Sequence, residues 1–174
     1  AGDTTARVWD AENGQQKMVL QHPDWVNSAA YSPDGRWIVT ASGDTSQVWD
    51  AESGQQMMEL KHTDWVNSAV YNPAGQQIVT ASGDGTARMW GAESGQQEMV
   101  LQHTDWVNSA VYSPDGRWIV TGARIFPGPG GPGTAQVWDA ESGQQMMDLQ
   151  HTSDVNSAVY SPDGRWIVTA SDDS

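Results

Sequence analysis

Four histidines, His22, His62, His103 and His151, are the side chains of this chain best suited to acid–base work or metal ligation. They are spaced by 40, 41 and 48 residues, and Trp9, Trp49, Trp90 and Trp138 are spaced the same way. A catalyst needs one site, whereas these residues recur with every period, which predicts a structural role for them. The chain has no Cys, so thiolate zinc sites, Cys nucleophiles and disulfide frameworks are excluded. Asp34, Asp115 and Asp163 stand in Pro-Asp-Gly sequences and are turn formers. No Asp-x-Asp-x-Asp-Gly calcium loop occurs. The expectation is a non-enzyme with no cofactor and no metal.

Eight Lys+Arg against 22 Asp+Glu give 174 residues a formal net charge of −14. Nucleic acid and anionic membranes both require a basic surface, so neither is expected as a partner. No apolar run approaches the roughly 20 residues of a membrane span. The opening AGDTTARVWD lacks the basic start and apolar stretch of a signal peptide, and the expected location is cytoplasmic. Leu, Ile, Val and Phe total only 26 residues, a poverty that with this charge usually marks disorder. Ten Trp, four Tyr and seven Met supply apolar bodies that this sum ignores.

Order in the sequence carries the globular reading. SPDGRWIVT occurs at 32–40, 113–121 and 161–169, with NPAGQQIVT at 72–80. AESGQQ occurs at 51–56, 92–97 and 140–145, with AENGQQ at 11–16. A period near 40 residues signals stacked units that are unstable alone. Within a unit the period is two: Val66, Ser68 and Val70 oppose Asn67, Ala69 and Tyr71, and Trp118 and Val120 oppose Ile119 and Thr121. Runs this rich in Val, Ile, Thr, Trp and Tyr, bounded by Gly turns, predict four antiparallel strands per unit. For the second unit they fall at about 66–71, 76–82, 86–90 and 97–102. The units are about 22–61, 62–102, 103–150, and 151–174 completed by 1–21.

Four short strands per unit, with His near the start and Trp-Asp near the end, resemble the WD-repeat family of β-propellers. The matching pieces are His22 with Trp49-Asp50, His62 with Trp90-Gly91, His103 with Trp138-Asp139, and His151 with Trp9-Asp10 from the other end. The residue before each His is Gln or Lys where the family has Gly. The resemblance implies an all-β propeller of four-stranded blades, with a hydrogen-bonded set in each. These sets map onto His22, Thr40, Asp44 and Trp49; His62, Thr80, Asp84 and Trp90; His103, Thr121 and Trp138 without an Asp; and His151 and Thr169 with Trp9 and either Asp3 or Asp173. Buried imidazole and indole N–H groups need acceptors, which a hydroxyl and a turn carboxylate supply.

The N-terminal portion carries the two outer strands of a blade and the C-terminal portion the two inner ones. The terminal blade is then completed within one chain as a four-bladed ring, between two chains, or by further blades of a longer chain of which this sequence is a piece. WD-type units resemble wedges suited to rings of about seven, so the expected assembly is a homodimer of half-rings with eight blades.

The resemblance also implies a loop face near the channel. There the sequence places Asp24-Trp25, Asp64-Trp65 and Asp105-Trp106, an aromatic and acidic collar suited to a cationic peptide, with burial of each Trp between blades as the competing reading. Trp37, Trp118 and Trp166 read as half-buried, and the pairs Met57-Met58 and Met146-Met147 as inter-blade filler. One non-repetitive segment, Arg124 to Gly133, reads as a Pro/Gly connector or as a binding loop tipped by Ile125 and Phe126. Two functions follow: a protein or peptide interaction scaffold, or a purely structural self-assembling unit whose partner is its own copy.

Overall fold

The middle strands of each complete sheet bury both faces, because the repeats stack side against side. The computed structural model describes residues 4–124 and 133–173. Ile125, Phe126 and Asp3 therefore lie outside the described residues. Three complete antiparallel sheets form: β3 (Val26–Tyr31), β4 (Trp37–Ser42), β5 (Thr45–Asp50) and β6 (Gln56–Lys61); β7 (Val66–Tyr71), β8 (Gln77–Ser82), β9 (Thr86–Gly91) and β10 (Gln97–Gln102); β11 (Trp106–Tyr112), β12 (Trp118–Arg124), β13 (Thr134–Asp139) and β14 (Gln145–Gln150). Two half-blades flank them, β1 (Thr5–Trp9) with β2 (Gln16–Gln21), and β15 (Val155–Tyr160) with β16 (Ile167–Ser171). No helix occurs among the described residues, and none is long and apolar enough to cross a membrane.

The turns follow from side chains that imitate backbone. In the β11–β12 turn the Asp115 carboxylate accepts Ser113 Oγ at 2.6 Å and Arg117 N–H at 3.1 Å, and Gly116 takes φ of 75°, where a Cβ would be strained. In unit two Ala74 replaces the Asp, and the Asn72 amide oxygen takes over by accepting Gln76 N–H at 2.9 Å.

The core lies between blades. Val39, Ala41, Val48 and Leu60 of the first complete blade pack on Val66, Ala69, Tyr71, Ile78 and Trp90 of the next. Val79, Ala81, Met89 and Leu101 of that blade meet Val107, Ala110, Tyr112, Ile119 and Trp138 of the third. Thus Ile119 and Val120, adjacent in sequence, are both fully buried on opposite neighbours. The sheet works as a two-sided wall.

Strict alternation fails in the innermost strands. A bulge displaces the register between Val66 and Ser68, and again between Val26 and Ser28, Val107 and Ser109, and Val155 and Ser157. It brings Val66 to the same side as Ala69 and Tyr71, so the expected opposition of these residues does not hold. The displaced residue is always Asn; in three of the four bulges its amide crosses to the next blade, and Asn156 instead donates to Asp172 Oδ1 at 2.7 Å. Asn27 Nδ2 donates to Val66 O at 2.9 Å, Asn67 to Val107 O at 2.8 Å and Asn108 to Val155 O at 3.0 Å.

The two half-blades stay separate within the chain: β1–β2 and β15–β16 are distinct two-stranded sheets. The expected closure of the terminal blade is not made by one chain, because each blade packs on its sequence neighbours and the two ends share no sheet. The face that should be covered is open. Trp166 is 68% exposed and Val168 65%, whereas the equivalent Val39, Val79 and Val120 are at 0%. Trp166 therefore departs from the half-buried state expected of it and kept by Trp37 and Trp118. The Met pairs divide in the same way: Met58 packs between blades, while Met57, Met146 and Met147 are exposed.

The inter-blade amide bond predicts that Asn67→Ala destabilises the fold by about 1–2 kcal/mol, since Val107 O keeps its burial and loses its donor. Urea unfolding followed by tryptophan emission measures the change.

Candidate functional site

The four histidine sets were the first candidates for chemistry. His62 sits wholly inside the second blade, with Nε2 2.7 Å from Thr80 Oγ1 and Nδ1 2.9 Å from Asp84 Oδ2. Trp90 Nε1–H donates to the same Thr80 hydroxyl at 2.9 Å. Asp84 also accepts Thr86 Oγ1–H and Arg88 Nη2–H. Burial pulls the Asp84 carboxyl upward, but hydrogen bonds from Thr86, His62 and Thr63 outweigh it and hold the group at about 2. Burial also pulls the His62 imidazole down, against the opposing effect of Asp84.

His22 and His103 keep the hydroxyl and the indole but use a different second acceptor. Their Nε2 atoms lie 2.8 Å from Thr40 and Thr121, which Trp49 and Trp138 also reach at 2.9 and 3.0 Å. Their Nδ1 atoms lie 3.0 Å from Leu20 O and Leu101 O, two residues back. Asp44 therefore is not a member of the first set, and it is exposed. The reason is one missing residue. Asp84 is followed by Gly85 before Thr86, whereas Asp44 directly precedes Thr45. With Thr45 and Thr86 in the same register, Asp44 occupies the Gly85 place: Asp44 O accepts His62 N–H as Gly85 O accepts His103 N–H. The absent Asp in unit three is as expected.

The last set is incomplete. His151 Nδ1 is 2.7 Å from Asp173 Oδ2, and Nε2 is 3.0 Å from Thr169 Oγ1. Asp173 thus supplies the carboxylate, and the hydrogen bond from His151 holds it at about 2. Trp9 does not reach this set within the chain; it is 54% exposed, against 5–6% for Trp49, Trp90 and Trp138. In each complete set both imidazole nitrogens are engaged by protein groups and the ring is buried. Such a histidine braces a turn against a strand and has no face left for substrate. No group of three or more His, Asp or Glu positioned to hold a metal occurs among the described residues.

The loop face is different. Asp24 Oδ1 accepts the Trp25 N–H and Asp64 Oδ1 the Trp65 N–H, each at 2.7 Å. Ser42 and Ser82 hydroxyls donate to Asp24 O and Asp64 O at 2.8 and 3.0 Å. These ties fix the loops that carry the rings. Trp25 is 53% exposed and Trp65 39%, and the two rings meet edge to face at a centroid separation of 5.8 Å. Burial between blades, the competing reading for these side chains, does not hold for this pair. Trp106 is half-buried instead, and the Arg124 guanidinium lies 4.5 Å from its ring centroid. Arg124 belongs to β12, paired directly with Trp106 across the ladder, and not to the connector that follows. The three-membered collar is therefore an open pair, Trp25 and Trp65, plus a third ring that already carries a cation. Asp24, Asp64 and Asp105 are half-buried beside them. Sequence reasoning missed Arg124 because it stood at the edge of the insertion.

A cleft of about 1080 Å3 lies on another surface between the first two complete blades, lined by Arg36, Trp37, Met57, Gln76, Gly91 and Glu98 among others. Here Gln77 Nε2 donates to Glu98 Oε2 at 2.7 Å, and a Cβ at Gly91 would lie 2.9 Å from Glu98 Oε1. Gln77, Gly91 and Glu98 replace the Trp, Asp and Met or Lys of other units, a local repacking at the edge of the cleft.

Three four-stranded blades in ring order, each braced by an imidazole–hydroxyl–indole set and flanked by half-blades, define an open segment of a β-propeller. The WD domain, G-beta repeat model matches at 14–50, 54–91, 95–139 and 143–174, and the chain belongs to that family. Single stretches resemble curated proteins: a coronin-like protein of Saccharomyces cerevisiae, 39% identical over 44 residues, 25% of this chain and 7% of that protein; ribosome assembly protein 4 of Chaetomium thermophilum, 44% over 39 residues, 22% of this chain and 8% of that protein; and coronin-7 of Mus musculus, 42% over 43 residues, 24% of this chain and 5% of that protein. Each match spans about one repeat unit and a small fraction of the relative.

Burial lowers His103 to about 4 from 6.5, the Leu101 carbonyl opposing only in part. The unfolded chain binds this proton near pH 6.5 and the native chain does not, so stability is full above that value and falls as the pH drops toward 4. The expected loss is on the order of 3 kcal/mol. His103→Gln flattens the dependence but does not abolish it, because His22 shifts in the same direction. Denaturant unfolding at a series of pH values provides the check.

Proposed function

We propose that this chain is a non-catalytic interaction scaffold that completes a closed ring with a second copy and binds a cationic segment of another protein on the loop face. The carrying observation is the Trp25–Trp65 pair, held open on rigid loops of two adjacent blades in a chain of net charge −14. Exposed large aromatics on ordered loops are unusual without a partner, and their faces attract Lys, Arg or methylated ammonium groups. The surrounding negative charge favours encounter with a basic peptide and disfavours an acidic one. Arg124 over Trp106 models the interaction within the molecule itself. Membership in the WD family supports the reading, as does the engagement of every complete histidine set in structural bonds.

Self-association is the second part of the proposal. The two half-blades present the unfinished edges of one blade, and unpaired strand edges recruit other strands. Sedimentation or light scattering is expected to give twice the 18.9 kDa of the chain. A single-chain mass would rule this part out.

Titration with a Lys/Arg-rich peptide is expected to change Trp emission and to weaken as salt rises. Trp65→Ala should lower affinity by tenfold or more and cost about 1–2 kcal/mol of stability, since the ring is 39% exposed and packs on Trp25. Equal affinity in the wild type and W65A would remove the loop face from the binding role.

A further inference from the structure

The third unit departs from the first two at one position of the loop face. Counted from the buried Thr40, Thr80 and Thr121, the fourth residue of each run is Gly43, Gly83 and Arg124. Gly83 N–H donates to Trp65 O at 2.8 Å, and Arg124 is the strand partner of Trp106. The hydroxyls of Ser42 and Ser82, which tie down Asp24 O and Asp64 O, have no counterpart at Ala123. The ladder takes their place: β11 begins at Trp106, whereas β3 and β7 begin at Val26 and Val66. The unit has thus been rebuilt around an arginine where its neighbours carry glycine.

A glycine leaves the adjoining ring uncovered, and this arginine does not. The Arg124 guanidinium lies 4.5 Å from the Trp106 ring centroid. Its Nε is buried with no hydrogen-bond partner among the described residues. A buried guanidinium N–H without an acceptor is costly, and an aromatic face beneath the group offsets that cost. Trp106 in turn rests against the loop that carries Trp65, with Cδ2 3.6 Å from the Cβ position of Gly83. The two rings share one surface. One carries a cation supplied from within the chain, and among the described residues the other carries none.

We infer that Arg124 is a tethered ligand: from inside the chain it occupies the third position at which the loop face would otherwise take a partner's cation. This inference rests on the loop-face part of the proposed function and assigns its chemistry. The occupant is a planar guanidinium, which stacks on an indole face as the compact ammonium of Lys does not. An arginine side chain of the partner is therefore the group that Trp65 receives. Residue 124 also sets how many such groups bind. Gly43 and Gly83 leave the first two rings to the partner, whereas Arg124 closes the third. The face is thereby restricted to a segment whose arginine lies toward Trp25 and Trp65.

Titration with an arginine-rich peptide tests this in the wild type, Arg124→Gln, Trp106→Ala and the double variant. Arg117→Gln, at the opposite end of β12, removes the same charge away from the loop face and serves as the control. R124Q is expected to bind roughly three- to fivefold more tightly than R117Q. Adding W106A is expected to remove that advantage, while W106A alone binds as the wild type does. Arg124→Gly, which restores the residue of the first two units, is the second variant should R124Q not fold, as judged by far-UV spectra. A lysine-rich peptide of equal length and charge is expected to bind more weakly than the arginine-rich one, and equal binding would overturn the arginine assignment. If R124Q binds no more tightly than R117Q, or keeps its advantage without Trp106, while Trp65→Ala still loses affinity, the inference fails and the loop-face reading stands. If no variant binds the peptide, the loop-face reading fails and takes the inference with it.

Discussion

The structure depends on one constraint: a blade has two apolar faces and no core of its own. Strands such as β8 and β12 are buried along nearly their whole length because one side belongs to the preceding blade and the other to the following one. A four-stranded sheet of six-residue strands is too thin to be stable by itself. Stability is thus a property of adjacency, as in other repeat proteins, and the terminal blades are where it fails. Val168 is 65% exposed where Val39, Val79 and Val120 are fully buried.

The polar interior follows from this arrangement. Each complete blade turns its Thr hydroxyl into the buried interior, where an indole and an imidazole both require it. The hydroxyl accepts the indole N–H and donates its own proton to the imidazole Nε2, so three polar groups are satisfied in a small volume. The carboxylate is an optional fourth member. Where it is absent, a carbonyl two residues back takes its place, and the imidazole becomes more dependent on remaining neutral. Polar residues that look catalytic in a sequence here serve the placement of turns and loops, including the loops that expose Trp25 and Trp65.

Much of this was legible before any coordinates. The strand positions of the second unit, the turns at Pro-Ala-Gly and Glu-Ser-Gly, and the role of His62, Thr80, Asp84 and Trp90 follow from spacing and from the family pattern. Other features were not. Asp44 lies at the expected distance from its histidine, yet the turn is closed from the other side, and a count back from Trp49 shows the residue that is missing. The bulge at Asn67 disguises itself as alternation, because Val, Ser and Val look apolar or small on either face. Its signal was the Asn that recurs in each VNSA sequence. Arg124 was masked by the insertion next to it, and the exposure of Trp25 and Trp65 depends on packing that no single unit encodes.

Pro33 packs on Gly75, Pro73 on Gly116 and Pro114 on Gly164, and Met18, Met58 and Met99 fill the space at Gly54, Gly95 and Gly143. Each junction uses the same small vocabulary, so nothing in the couplings identifies which blade follows which. Order along the chain is dictated by covalent continuity. A gene encoding such interchangeable modules can lengthen or shorten by whole units without redesigning a single contact, and the near-identity of its units is what that freedom would leave behind.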